Sequence, residues 1–146
     1  MTKAFIDTNI LLDYLLNRDD FVEDARNILL IGNAGFIIPI ISDLSIANIA
    51  YITRNKISQD AFFSTVNTLQ SFCKIAGIGE RVITQAVNAR WNDFEDSLQY
   101  FAAMQAEADC IITRNVKDFQ SKGIPVLAPH EFLDNIITGI DSYKTE

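Results

Sequence analysis

Ala4-Phe5-Ile6-Asp7-Thr8-Asn9-Ile10-Leu11-Leu12-Asp13 is a short apolar run broken by a carboxylate and followed at once by further apolar residues. Consecutive apolar residues suit a strand buried on both faces, which puts Asp7 at its C-terminal edge. Thr8 or Asn9 can then cap a helix that turns Leu12 and Leu16 inward. The alternation recurs downstream. Phe21, Ala25, Ile28 and Leu29 share a helix face over about residues 20–31, Asn33-Ala34-Gly35 ends that helix, and Phe36-Ile37-Ile38 reads as the next strand. Ser42-Asp43 opens a strongly apolar helix reaching about Arg54, expected to be buried on most sides.

Ser58 caps a helix whose inner face is Phe62, Val66, Leu69 and Cys73. Lys74-Ile75-Ala76 reads as a strand, and the helix after it carries Val82, Ala86 and Val87. Asn92 or Asp93 caps another helix, with Phe94, Leu98, Phe101, Ala102 and Gln105 along one side. Asp109-Cys110-Ile111-Ile112-Thr113 is a buried strand, and Val126-Leu127 a last short one before a helix over 129–137. Strands alternating with helices predict an α/β fold, a three-layer α/β/α arrangement around a central parallel sheet.

A chain of 146 residues without repeat, linker or low-complexity stretch is expected to form a single domain over 1–137, followed by a polar tail over 138–146. Cys73 and Cys110 lie in apolar surroundings and fit no zinc spacing, so they read as buried thiols of a reducing compartment. Asp7 interrupts any signal-like apolar start, and the run from Phe36 to Ile41 is too short to span a bilayer. The expected location is the cytoplasm, without a membrane partner. A formal charge of −7 disfavours broad electrostatic binding to nucleic acid. It says little about one pocket, where bound cations can reverse the local field.

In a parallel α/β sheet, ligands bind outside the carboxyl ends of the strands. That rule singles out Asp7, Ser42-Asp43 and Thr113-Arg114-Asn115. Asp7 is aimed at the cleft, with Thr8 and Asn9 beside it as donors; as a plain alternative it caps the helix. Asp93-Phe94-Glu95-Asp96 starts a helix in which residues three apart share a face. Asp93 and Asp96 can thus stand side by side while Phe94 and Leu98 face the core. A divalent cation would offset their repulsion. The plain alternative is an acid-rich first helical turn. Thr113 and Asn115 bring neutral oxygens, and Arg114 and Lys117 can meet phosphates.

Phe5-Ile6-Asp7-Thr8-Asn9, Asp93-Phe94-Glu95-Asp96-Ser97-Leu98 and Thr113-Arg114-Asn115-Val116-Lys117-Asp118-Phe119, in that order, closely resemble the PIN domain, and the likeness extends to Pro129-His130-Glu131-Phe132-Leu133. The resemblance implies a Rossmann-like parallel sheet and a cluster of acids binding Mg²⁺ or Mn²⁺. It implies a ribonuclease, the VapC toxins of toxin–antitoxin pairs being among its members. By this resemblance Asp7 matches the family's first acid, Asp96 the third and Asp93 an extra acid of one subgroup. Asn115 falls at the optional fourth position. The second acid, usually Glu, aligns within the helix after the second strand, where this chain has Asn48. An Asn oxygen can ligate a hard cation or orient water but carries no charge; alternatively Asn48 is a buried amide bonded to Asn9 or Ser42. Metal binding is therefore assigned to Asp7, Asp96 and Asp93, catalysis to these with Asn48 and Asn115, and substrate orientation to Thr8, Asn9, Thr113 and Arg114.

Three readings of function follow. The first is a Mg²⁺- or Mn²⁺-dependent endoribonuclease acting on RNA, with an antitoxin protein and a homodimer as the partners the resemblance implies. The second is a PIN module that binds RNA or protein without cutting, motivated by Asn48. The third is a haloacid-dehalogenase-like phosphatase with Asp7 as nucleophile, disfavoured because position 9 is Asn and no later lysine motif is evident. His130 receives no catalytic role, and Trp91 is expected to anchor a helix junction.

Overall fold

The computed structural model describes residues 1–120 and 123–144 of the chain, with side chains placed through Gly139. Its strands are β1 (Lys3–Ile6), β2 (Ile38–Ser42), β3 (Lys74–Ala76), β4 (Cys110–Ile112) and β5 (Val126–Leu127). The α-helices are α1 (Thr8–Leu15), α2 (Val22–Asn33), α3 (Asp43–Thr53), α4 (Gln59–Phe72), α5 (Gly79–Ala89), α6 (Phe94–Gln105) and α7 (Pro129–Lys144). The strands form one parallel sheet in the order β3-β2-β1-β4-β5. This is the three-layer α/β/α architecture that the alternation predicted.

The pleat divides the core in two. Ala4, Ile6, Ile41, Cys110 and Ile112 face one side, where Ile10, Leu11, Ala25, Ile28, Leu69, Phe132 and Leu133 from α1, α2, α4 and α7 cover them. Phe5, Ile40 and Ile111 face the other, under Val82 and Ala86 of α5 and Leu98, Ala102 and Ala103 of α6. Trp91 stacks among Tyr100, Phe101 and Phe119 at the junction of α5 and α6. Both cysteines are buried and unpaired, and burial pushes their thiols up to about 12 for Cys73 and about 11 for Cys110. No helix among the described residues is long and apolar enough to cross a membrane.

Several local expectations change. The second strand lies at Ile38–Ser42 rather than at residues 36–38, and Phe36 is exposed. Gly35, at φ +86°, ends the turn after α2, so pairing with β1 starts only where Ile38 donates to the Thr2 carbonyl. Pro39 is tolerated inside this central strand because β3 pairs only from Ile40 onward, so its missing N–H breaks no ladder bond. The third helix is not buried on most sides. Ser45, Ile49 and Thr53 are buried, while Tyr51 is 66% exposed. Val87 and Phe94 also face outward. The last helix continues past Ile137 to Lys144, into the stretch expected to be a polar tail. Its apolar stripe, Phe132, Leu133 and Ile136, ends near residue 137, so the pattern stops before the backbone does.

Candidate active site

The strand order reverses between β1 and β4. One half of the chain proceeds from β1 to β2 and β3, the other from β4 to β5, and the crevice between the two lies at their carboxyl ends. Asp7 stands in that crevice. Its backbone N–H extends the ladder to the Ile112 carbonyl at 3.0 Å, which fixes the direction of its side chain. The carboxylate caps α1, taking the place expected of Thr8 or Asn9. Oδ1 accepts from the Thr8 N–H at 2.8 Å and Oδ2 from the Thr113 hydroxyl at 2.7 Å. The cap and the cleft carboxylate are therefore one residue.

Helix α6 leads into β4 and so presents its N-terminus at the same sheet edge. Asp93 is its N-cap, accepting from the Asp96 N–H at 3.0 Å. Asp96 is 7% exposed, and its Oδ2 is buried with no hydrogen-bond partner. Such a stranded oxygen is costly in a folded protein and calls for a missing partner. Burial pushes the Asp96 carboxyl up to about 7, and the charges of Asp7, Asp93, Asp118 and Glu95 add to the effect. Asp7 rises to about 6 through burial, against the lowering effect of its two hydrogen bonds and with Glu95 and Asp93 adding repulsion. Asp96 thus senses Asp7, and both sense the charges of Asp93 and Glu95.

These groups suit a hard divalent cation, which would satisfy the buried oxygen and neutralise the repulsion. Among the described residues, no three Asp, Glu, His or Cys side chains are already gathered into a cage for an ion. Asp93 and Glu95 are both exposed, the first bonded to the Asp96 N–H and the second to the Asn48 amide.

Asn48 reaches the pocket from α3 but bonds neither Asn9 nor Ser42. Its Nδ2 donates to Glu95 Oε1 at 2.8 Å. The side-chain oxygen of Asn9 is buried without a partner, and Asn115 is exposed beyond β4 with its N–H bonded to the Thr113 hydroxyl. The residues named for substrate orientation have other partners. The Thr8 hydroxyl is 2.7 Å from that of Ser45, and Thr113 serves Asp7 and Asn115. Arg114 makes two bonds to Asp13, at 2.6 and 3.0 Å, and lies 3.9 Å over the Phe21 ring. Asp43 accepts from the Ile78 N–H, which ties it to the start of α5. His130 pairs with Asp134 on the exposed face of α7.

Sequence reasoning missed the group that locks the site from behind. Gln99 is fully buried; its amide donates to Thr8 and Ser45 at 2.9 and 3.0 Å and accepts from the Ser42 hydroxyl at 2.7 Å. This network ties α1, the β2–α3 junction and α6 together directly behind Asp7 and Asp96. Its one sequence signal was a Gln three residues after Asp96, on the helix face that carries Asp93 and Asp96.

Comparison with known proteins agrees with this fold. The toxin–antitoxin complex from Klebsiella pneumoniae matches with a TM-score of 0.63 at 25% identity, covering 86% of this chain and 97% of that one. VapBC2 from Rickettsia felis, bound to a DNA fragment from its promoter, matches at 0.64 and 16% identity over 87% and 98% of the two chains. Mycobacterium tuberculosis VapC20, a toxin that cleaves the sarcin-ricin loop, matches at 0.59 and 11% identity over 74% and 86%. No curated protein matches the chain by sequence. The PIN domain family model matches residues 3–117. The chain belongs to the PIN domain family.

Proposed function

We propose that this protein is a divalent-metal-dependent endoribonuclease and the toxin member of a toxin–antitoxin pair. The observation that carries the reading is the Asp7–Asp96 pair at the sheet's switch point, with a buried Asp96 oxygen left without a partner. Asp7, Asp96 and Asp93 would hold Mg²⁺ or Mn²⁺, with Asn48 and Asn115 as neutral oxygens nearby. Such an ion supplies Lewis acidity toward a phosphate and lowers the pKa of water. The protein's part is to pre-position charge. Thr8 and Thr113 each take one lone pair of Asp7 and hold its carboxylate in a single orientation, leaving the remaining lone pairs for a ligand. Asp93 keeps the first turn of α6 in place, so that Asp96 faces Asp7.

The partner reading draws on the toxin–antitoxin complexes among the structural neighbours. An apolar groove of about 240 Å³ between α1, α2 and α4, lined by Leu11, Leu15, Leu29, Leu30, Leu69 and Phe72, suits an apolar segment of an antitoxin. A homodimer in the cytoplasm completes the proposal. The phosphatase reading loses its ground with membership of the PIN family.

RNA cleavage assayed with Mn²⁺, Mg²⁺ or chelator is the direct test. Product is expected only with metal and is expected to fall to background in Asp7→Asn. Undiminished cleavage by that variant would refute the assignment. A second reading, a PIN module that binds without cutting, is favoured by the uncharged Asn48 on α3. RNA retained by the protein in Mn²⁺ with no product would establish it.

A further inference from the structure

Asn48 and Glu95 meet across the mouth of the pocket, one from α3 and the other from the first turn of α6. A carboxylate only accepts hydrogen bonds, so the Asn48 amide must turn its nitrogen to Glu95, and its oxygen stays available on the other side. Glu95 is exposed, and an unrestrained Glu of that kind would sample many rotamers. The 2.8 Å bond instead holds it where its charge acts on both Asp7 and Asp96. Its neighbour Asp96 keeps a carboxylate oxygen that is buried and without a partner, so the cluster has an orphaned acceptor as well as crowded acids.

We propose that Glu95, held across the mouth by Asn48, is a further carboxylate of this chain for the divalent cation, supplying from α6 the charge that α3 lacks. The inference rests on the metal-dependent reading above and deepens it. Asn48 is then a positioning residue rather than an empty replacement. It restrains Glu95 through its amide nitrogen and adds no charge of its own, which a carboxylate at position 48 could not do without repelling Glu95.

Mn²⁺ binding, followed by the electron paramagnetic resonance signal of the free ion at neutral pH, separates the possibilities. Four variants of the full chain are compared with wild type: Glu95→Gln, Asn48→Ala, their combination, and Asp96→Asn. Gln keeps an oxygen for the Asn48 amide and loses only the charge, so the thermal midpoint of Glu95→Gln should not fall below that of wild type. Its Kd for Mn²⁺ should rise about tenfold, the scale seen when a supporting group of a metal site is removed. Asn48→Ala should weaken binding less, and the double variant should bind no more weakly than Glu95→Gln alone. Wild-type affinity in Glu95→Gln, with binding lost in Asp96→Asn, would overturn the role of Glu95 and leave the metal site standing. Additive losses in the double variant would overturn the route through Asn48. A wild-type chain that binds no Mn²⁺ would overturn both readings together.

Discussion

Asp7 shows how one residue satisfies two demands that sequence reading sets against each other. Helix capping and cleft chemistry looked like alternatives, yet a carboxylate has enough lone pairs for both, and the Thr8 N–H uses one. The Thr113 hydroxyl, expected to meet substrate, orients the same carboxylate from the far side of the crevice. Gln99 behind them is the residue whose loss should be felt most widely. Replacing it with Leu leaves the Ser42, Ser45 and Thr8 hydroxyls short of a partner in a buried site. Urea denaturation should show a loss of about 2–3 kcal/mol, the penalty of stranding buried polar groups. An unchanged midpoint would mean that water replaces the amide. Phe94, by contrast, carries less than its apolar character promised: it sits at the solvent-facing start of α6.

At the scale of elements, the loop after β4 is tied to the α1–α2 connection by Asp13. This carboxylate is 1% exposed and receives Arg114 through two bonds and Arg18 through one at 3.1 Å, while Phe21 packs on the Arg114 guanidinium. Arg114 therefore anchors the segment that carries Thr113, and through it the orientation of Asp7. Asp13→Ala should lower stability by roughly 2 kcal/mol, below the usual figure for a broken buried pair because both arginines keep access to water. The same variant should weaken Mn²⁺ binding although Asp13 lies outside the acidic pocket. Full retention of binding at normal stability would show that the clamp and the site are independent. The motif Thr113-Arg114-Asn115 was visible in sequence, but the partner of Arg114 lies about a hundred residues away. Spacing along a chain cannot reveal such a contact.

For the molecule as a whole, the crowded carboxylates make folding stability depend on pH. Asp7 and Asp96 have folded values of about 6 and about 7 against an ordinary 3.8, so the folded state holds more protons than the unfolded chain between about pH 4 and 7. Stability is then fully present below the unfolded value and is lost as the pH rises through the folded ones. The steepest loss is about 1.4 kcal/mol per pH unit for each group. In chelator, the thermal midpoint should fall by several degrees from pH 5 to about pH 8. Asp96→Asn should flatten the fall, and Mn²⁺ should reverse it in wild type alone. A midpoint in chelator that rises over this range would contradict the shared acidic pocket.

The alternation of apolar runs and caps was enough to give the order of strands and helices, because burial on both faces leaves a local mark at each of them. Asp7 was nominated because ligands in a parallel sheet collect at its carboxyl edge, and Asp93 and Asp96 because residues three apart share a helix face. Only the tertiary structure decided that Asp7 is a cap as well as a pocket carboxylate, that Asn48 meets Glu95, and that Gln99 and Asp13 hold the site from behind. Apart from the Asp7 cap, those contacts join residues far apart in sequence, and short-range patterning carries no record of which distant partner satisfies a buried polar group.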